Sequence, residues 1–232
     1  MPFDPTFALS TALPLAEAAY DLSKLPPDWR LIGTVEPDNF GFVAVRENVV
    51  AIGLRGTQTP EDVVTDIDVV LVSSLYSVGM VSKGTQDAYT QVRPSLLDLL
   101  ALAEATVPVS KSDLKLQVLI VGHSLGGNLA THCAADRATG GFDKSVYLFA
   151  SPKTGDKQFA TDFDTRNPNC SRIANIWDIV NDYPVLPGYE HVHQEVLVNG
   201  GFPKDPATFV TTAHSLELSY KVGLQKLVKP PA

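Results

Sequence analysis

The tightest constraint on this chain is a glycine-flanked serine between an apolar run and a small-residue segment. Residues 116–135 read Leu-Gln-Val-Leu-Ile-Val, then Gly122-His123-Ser124-Leu125-Gly126-Gly127, then Asn128-Leu129-Ala130 and further small residues. An apolar run ended by glycine suits a buried strand. Leu125, Leu129 and Cys133 fall at i, i+4 and i+8, which suits one buried face of a helix. A serine on so tight a strand-to-helix turn is held in a strained conformation, and its neighbours two residues away must be small. Gly122 and Gly126 meet that demand. The turn is expected to present the Ser124 oxygen as a nucleophile. It would aim the Leu125 amide and the positive end of the helix at whatever the serine attacks. A phosphate-binding loop is the rival: Gly122 and Gly127 have its spacing, but Asn128 and Leu129 stand where Lys and Ser/Thr are required.

The 232 residues can form one α/β domain, 1–232, with a sizeable core. The formal net charge of −8, without a basic cluster, makes nucleic acid and anionic membrane surfaces poor partners. No apolar run approaches the ~20 residues of a membrane span. Residues 1–10 lack a basic segment followed by a long apolar one, so the expectation is a cytoplasmic protein or a mature secreted form whose signal has been removed. Cys133 sits on the buried helix face and Cys170 in a polar loop, and two free thiols are expected rather than a disulfide.

Along the chain, residues 7–22 read as a first helix interrupted by Pro14. Residues 29–35 read as a short strand, and 41–45 and 49–54 as a strand pair turning at Glu47-Asn48. Residues 61–66 suit a short helix after Pro60, and 69–72 another strand. Residues 85–105 suit a long helix kinked at Pro94, followed by a polar turn at 111–115. After the serine helix come a strand at 145–150, a loop at 151–155, a helix at 156–163 and a strand at 172–177. An edge strand or hairpin arm is expected at 193–198 and a last helix at 212–227. Strands alternating with helices argue for a largely parallel sheet covered on both faces.

A serine nucleophile needs a base, and the base needs an orienting acid. In such folds the chain order is Ser, then Asp or Glu, then His. His123 lies inside the turn and His132 on the helix, and both read as structural or surface residues. His191, His193 and His214 remain, with His214 favoured over His193 because it follows the final strand. Among the acids, Asp178 closes an apolar strand at the end where reactive groups collect. Asp182, in a polar turn before Pro184, is the lesser rival.

Several further segments resemble the class 3 lipases, the fungal-type triacylglycerol lipase and feruloyl esterase family. Ala16-Glu17-Ala18-Ala19-Tyr20 resembles the family's opening helix, and Leu54-Arg55-Gly56-Thr57 its oxyanion segment. Val81-Ser82-Lys83-Gly84 with Ala88-Tyr89 resembles the start of the helix before the nucleophile strand. Gly-His-Ser-Leu-Gly-Gly matches the family elbow throughout. Ser151-Pro152-Lys153-Thr154-Gly155, Asp178-Ile179-Val180 and His214-Ser215-Leu216 with Tyr220 follow in family order. The resemblance implies an α/β-hydrolase fold: a mostly parallel central sheet flanked by helices. It implies Ser124 as nucleophile, Asp178 as acid and His214 as base. The amides of Thr57 and Leu125 would form the oxyanion hole, with the Thr57 hydroxyl as a third donor and with Arg55 and Asp66 bracing the loop. The chain departs at Val180-Asn181-Asp182-Tyr183-Pro184, which stretches the family's Asp-Ile-Val-Pro, and at Asn128, which replaces a customary alanine.

The expected activity is that of a serine carboxylic-ester hydrolase, a lipase or esterase, acting on short to medium acyl esters or acylglycerols. A phospholipase or thioesterase would keep the chemistry and change the substrate. A catalytically silent scaffold that binds a small molecule or protein is the reading from another class. No metal or organic cofactor is implied, because no His/Cys/Asp cluster has ligand spacing. In the resembling family the segment after the oxyanion residue is a lid that opens at an oil surface. Here Val63, Val64 and Ile67 would give that lid one narrow apolar face, flanked by Glu61, Asp62 and Asp66. Contact with a lipid interface is therefore expected to be transient.

Overall fold

The computed structural model describes residues 3–57, 68–107 and 116–228. Among these, one seven-stranded sheet organises the chain in the order β1-β2-β3-β6-β7-β8-β9. Its strands are β1 Arg30–Val35, β2 Gly41–Arg46, β3 Val49–Leu54, β6 Gln117–His123, β7 Asp143–Phe149, β8 Cys170–Asn175 and β9 Glu195–Val198. β1, β2 and β3 form an antiparallel meander, and every pairing from β3 to β9 is parallel. A parallel edge placement for β9 excludes the hairpin-arm alternative. The short β4 Leu71–Ser73 and β5 Met80–Ser82 pair separately. The expected strand at 69–72 is thus displaced by about two residues.

Period-two burial explains the layering. Val43, Val45, Val50, Ile52, Val118 and Ile120 face one core, and Phe42, Ala44, Ala51, Leu119 and Val121 face the other. Strands buried on both faces read as continuous apolar runs because both cores need apolar partners. Helices α2 Lys83–Thr106, α3 Leu125–Ala135 and α4 Lys157–Arg166 contribute Tyr89, Leu96, Leu129 and Phe159 to the first core. The second is closed by α1 Leu13–Ala18 and, at the end of the chain, by Leu216, Tyr220 and Leu224.

Three expectations change. Pro14 does not interrupt the first helix. A π-turn, Ala8–Ala12, precedes α1 and makes room for a ring that would otherwise press on the carbonyl four residues back. The last helix is not continuous: α5 Phe209–His214 stops at Ser215, which is extended and caps the next turn by accepting from the Leu218 amide at 3.1 Å. A π-turn, Leu216–Tyr220, then leads into α6 Lys221–Val228. Both cysteines are free, and Cys170 opens β8 rather than lying in a loop. The expected helix at 61–66 and turn at 111–115 lie outside the described residues.

His132 is buried between α2 and α4. Its Nε2 meets Thr85 Oγ1 at 3.0 Å, and its ring stacks on Tyr89 at 5.5 Å. Burial pushes its pKa from 6.5 to about 3. Below pH ~6.5 the unfolded chain therefore binds a proton that the folded chain refuses, so stability falls as pH drops from ~6.5 toward ~3. His132→Gln keeps a polar partner for Thr85 and removes the titration. Thermal melts between pH 7 and about 4 should fall less steeply for the variant than for the parent.

Candidate functional site

The turn between β6 and α3 sets the geometry. Ser124 has φ 61° and ψ −131°, a conformation that costs a non-glycine residue about 1–3 kcal/mol. The Ser124 amide donates to Phe149 O at 3.0 Å, and the Gly127 amide to Ser124 O at 2.8 Å. A Cβ at Gly122 would lie 2.2 Å from Gly126 O, and one at Gly126 would lie 2.2 Å from Leu54 O. Both clashes are with backbone, so neither position can hold a side chain unless the turn or β3 moves. Asn128 ties the first turn of α3 to the following loop, donating to Pro152 O at 3.1 Å and to Thr154 Oγ1 at 2.9 Å.

The chain after β8 carries Asp178, the candidate acid. Asp178 lies three residues beyond the strand and caps a 3-10 turn, Ile179–Asp182, with Oδ1 accepting from the Val180 amide at 3.0 Å. Its Oδ2 accepts from His214 Nδ1 at 2.8 Å and from the Tyr220 hydroxyl at 2.8 Å. Tyr220 is held above its ordinary pKa by burial and by the Asp178 charge, so it remains a donor. Asn181 donates to Asn175 O at 3.2 Å and to Asp178 O at 3.0 Å. Asn175 donates to Ala213 O at 2.8 Å, binding the end of β8 to the helix that carries His214. His214 is therefore the last residue of α5, not the start of a long helix.

With Nδ1–H committed to Asp178, the second ring nitrogen of His214 is left with its lone pair. His214 Nε2 and Ser124 Oγ are both buried without a hydrogen-bond partner among the described residues. His214 also packs against the residue preceding the serine, with the His123 and His214 ring centroids 4.6 Å apart. Ser124, Asp178 and His214 thus converge at the carboxyl ends of the parallel strands. Asp182 is exposed at the end of its turn. His193 lies elsewhere, with Nε2 donating to Asn167 O at 2.9 Å and its amide to Asp164 Oδ1 at 2.9 Å.

On the other side of Ser124, a Cβ at Gly56 would stand 2.8 Å from Ser124 Cβ, so the 55–57 backbone lies against the serine. Arg55 fixes that backbone by donating to the carbonyls of Asn39 (2.9 Å), Gly56 (3.0 Å) and Asp38 (2.8 Å). Leu125 begins α3 and is buried. A cleft of about 290 Å³ is lined by Tyr20, Thr57, His123, Thr211, His214 and Leu216, among others. Asp66 and the lid residues Val63, Val64 and Ile67 lie outside the described residues. The partners of Asp178 beyond His214 were not foreseen. Tyr220 follows in family order without a role in the sequence reading, and only the fold brings it to the carboxylate and Asn181 to the Asp178 main-chain carbonyl.

The family model for Lipase (class 3) matches residues 51–187, more than half of the chain. The chain belongs to the class 3 lipase family. A phospholipase A1-II 4 of Oryza sativa subsp. japonica is 27% identical over 184 residues, covering 68% of this chain and 46% of that protein. The chain spans about half the length of the curated relatives it matches. The nonglycosylated LIP2 lipase of Yarrowia lipolytica superposes with a TM-score of 0.72 at 22% identity, covering 85% of this chain and 81% of that one. A triacylglycerol lipase described as having a serine protease triad for its catalytic centre superposes at 0.69 with 24% identity, covering 87% and 81%. The architecture is the α/β-hydrolase fold of these lipases.

In this class 3 lipase fold the close approach of the turn to β3 can be probed directly. Gly126→Ala should lower the melting temperature by several degrees, because its Cβ meets the Leu54 carbonyl and overpacking costs roughly 1–3 kcal/mol. Circular dichroism melts check this, and an unchanged melting temperature would show that the turn relaxes freely.

Proposed function

We propose that this protein is a serine carboxylic-ester hydrolase. The observation that carries the proposal is that two buried atoms, Ser124 Oγ and His214 Nε2, are left without a hydrogen-bond partner among the described residues, with a fully bonded Asp178 carboxylate behind the histidine. In this reading Ser124 Oγ attacks the ester carbonyl and its proton passes to His214 Nε2. The amides of Thr57 and Leu125 receive the charge that develops on the carbonyl oxygen. Collapse of the tetrahedral intermediate breaks the ester C–O bond, and the leaving alkoxide takes the proton from His214. Water, deprotonated by the same nitrogen, then releases the acyl group from Ser124. Asp178 holds the ring and offsets the positive charge it gains. No step requires a metal or cofactor, and residues 1–232 are taken as one catalytic domain.

The substrate class proposed is short to medium acyl esters or acylglycerols. Its support is the composition of residues 58–67, where three aliphatic residues and three acids offer little apolar area to an oil surface. A phospholipid ester is the second reading, favoured by the phospholipase A1 names of the rice relatives.

Ser124→Ala should abolish turnover of a chromogenic ester, and His214→Ala should match it within a few-fold, because such groups act as a unit. Asp178→Asn should lose several orders of magnitude while Asp182→Asn changes little. The opposite ranking would move the acid to Asp182, and an active His214→Ala beside a dead His193→Ala would move the base. Substrate class is read by carrying a short-chain ester across its solubility limit. Smooth saturation is expected, and a sharp jump at the onset of emulsion would contradict it. Faster turnover of phosphatidylcholine than of the acylglycerol with the same chains would establish the phospholipid reading.

A further inference from the structure

A second hydrogen-bonded chain runs beside the serine, from Gly56 to the backbone of His214. The Gly56 amide donates to the Tyr20 hydroxyl at 2.9 Å. The Tyr20 hydroxyl and His123 Nδ1 lie 2.7 Å apart, and His123 Nε2 lies 2.9 Å from His214 O. Both ends of this chain are one-way groups, and that fixes every proton in it. A backbone carbonyl can only accept, so His123 Nε2 carries hydrogen and donates to His214 O. His123 is buried, and burial together with the neighbouring His214 holds its pKa well below 6.5, so the ring is neutral. A neutral ring has one acceptor nitrogen, which must be Nδ1, and Tyr20 must donate to it. The Tyr20 oxygen then keeps its lone pairs for the Gly56 amide.

The peptide planes on either side of Gly56 are therefore each held by one side chain. Tyr20 holds the plane before it through the Gly56 amide, and Arg55 holds the plane after it through the Gly56 carbonyl at 3.0 Å. A trans peptide points its N–H opposite to its C=O, so fixing the Gly56 carbonyl fixes the direction of the Thr57 amide. Gly56 itself lies against Ser124. Tyr20 belongs to none of these loops. It sits just past the end of α1 and is 38% exposed in the cleft.

We propose that Tyr20, locked by His123, is a positioning residue that together with Arg55 sets the oxyanion amide of Thr57, and that ties that loop to the backbone of His214. This rests on the ester-hydrolase reading of Ser124, Asp178 and His214. Tyr20 touches no reacting atom in this scheme; it acts by holding the Gly56 amide where the transition state requires it.

The test is Tyr20→Phe, which keeps the ring and removes the hydroxyl. Turnover of a soluble ester should fall roughly 10- to 100-fold in kcat, with KM changed by no more than about two-fold. A trifluoromethyl ketone reports the same loss without turnover. Ser124 Oγ adds to its carbonyl carbon, the serine proton passes to His214, and the ketone oxygen becomes an oxyanion. Its affinity should weaken in parallel with kcat, whereas a neutral ester analogue that forms no oxyanion should bind as before. His123→Asn, too short to bridge Tyr20 and His214, should show the same split from the other end of the chain. Unchanged kcat and ketone affinity in both variants, beside an active parent, would overturn the inference alone. So would equal losses in KM and kcat that follow the melting temperature. An inactive parent protein would remove the hydrolase reading and this inference with it.

Discussion

The strained turn at Ser124 is the constraint on which the rest of the structure depends. A serine at φ 61° and ψ −131° does not hold itself there; the surroundings must over-determine it. Three contacts do so. The Ser124 amide is bound to β7 through Phe149 O, Gly122 lies against Gly126, and Gly126 lies against the end of β3. The turn therefore exists only because β3, β6 and β7 are adjacent and parallel, and that adjacency requires apolar helices on both faces. The run of Val118, Leu119, Ile120 and Val121 serves the two cores alternately, and its rigidity is what keeps the serine from relaxing.

Polar groups converge where the strands end, and burial would make them costly if unpaired, roughly 1–3 kcal/mol each. Most are paired with great redundancy. Asp178 accepts from a backbone amide, a histidine and a tyrosine, and Asn175 braces β8 against α5. Against that background four buried side-chain atoms have no hydrogen-bond partner among the described residues, Asn128 Oδ1, Asn167 Oδ1, Ser124 Oγ and His214 Nε2, and the last two belong to the proposed triad. The network satisfies its carboxylate three times while its serine and imidazole stay open. Stability alone would favour closing them. The proposed ester hydrolysis asks for that pattern, with supporting groups fixed so that the groups proposed to react remain unbonded.

Much of this was legible in the sequence, for a definite reason. Strand and helix periods are local, and a Gly-x-Ser-x-Gly turn announces itself because only glycine fits the contacts at Gly122 and Gly126. Chain order then narrowed the acid and the base. What stayed hidden is long-range or is decided by one residue's competing bonds. Ser215 stops α5 because its side chain caps the next turn, so His214 ends a helix instead of starting one. A serine followed by Leu-Glu-Leu carries a capping signal, but the apolar spacing of residues 212–227 outweighs it on a first reading. Pro14 similarly reads as a break until the preceding π-turn is known to widen the helix ahead of it. The partners of Asp178 and the bond from Tyr20 to Gly56 join residues 42 and 36 positions apart, and no local pattern encodes them.

The two hydrogen-bonded chains meet at His214, and their polarity explains why one nitrogen is left. The backbone carbonyl of His214 accepts from His123, while its ring donates from Nδ1 to Asp178. The first bond holds the residue by its main chain and the second sets the ring rotation, so turning the imidazole over would lose the second. A flipped ring would break the bond to a buried carboxylate that also binds Tyr220, leaving a buried charge short of a donor. With both ends held, the tautomer follows: hydrogen on Nδ1, a lone pair on Nε2. The same logic sets His123 the other way round, with hydrogen on Nε2 and a lone pair on Nδ1, because its fixed neighbour is a carbonyl. Two adjacent histidines, 4.6 Å apart, are thus assigned opposite tautomers by groups that can only donate or only accept.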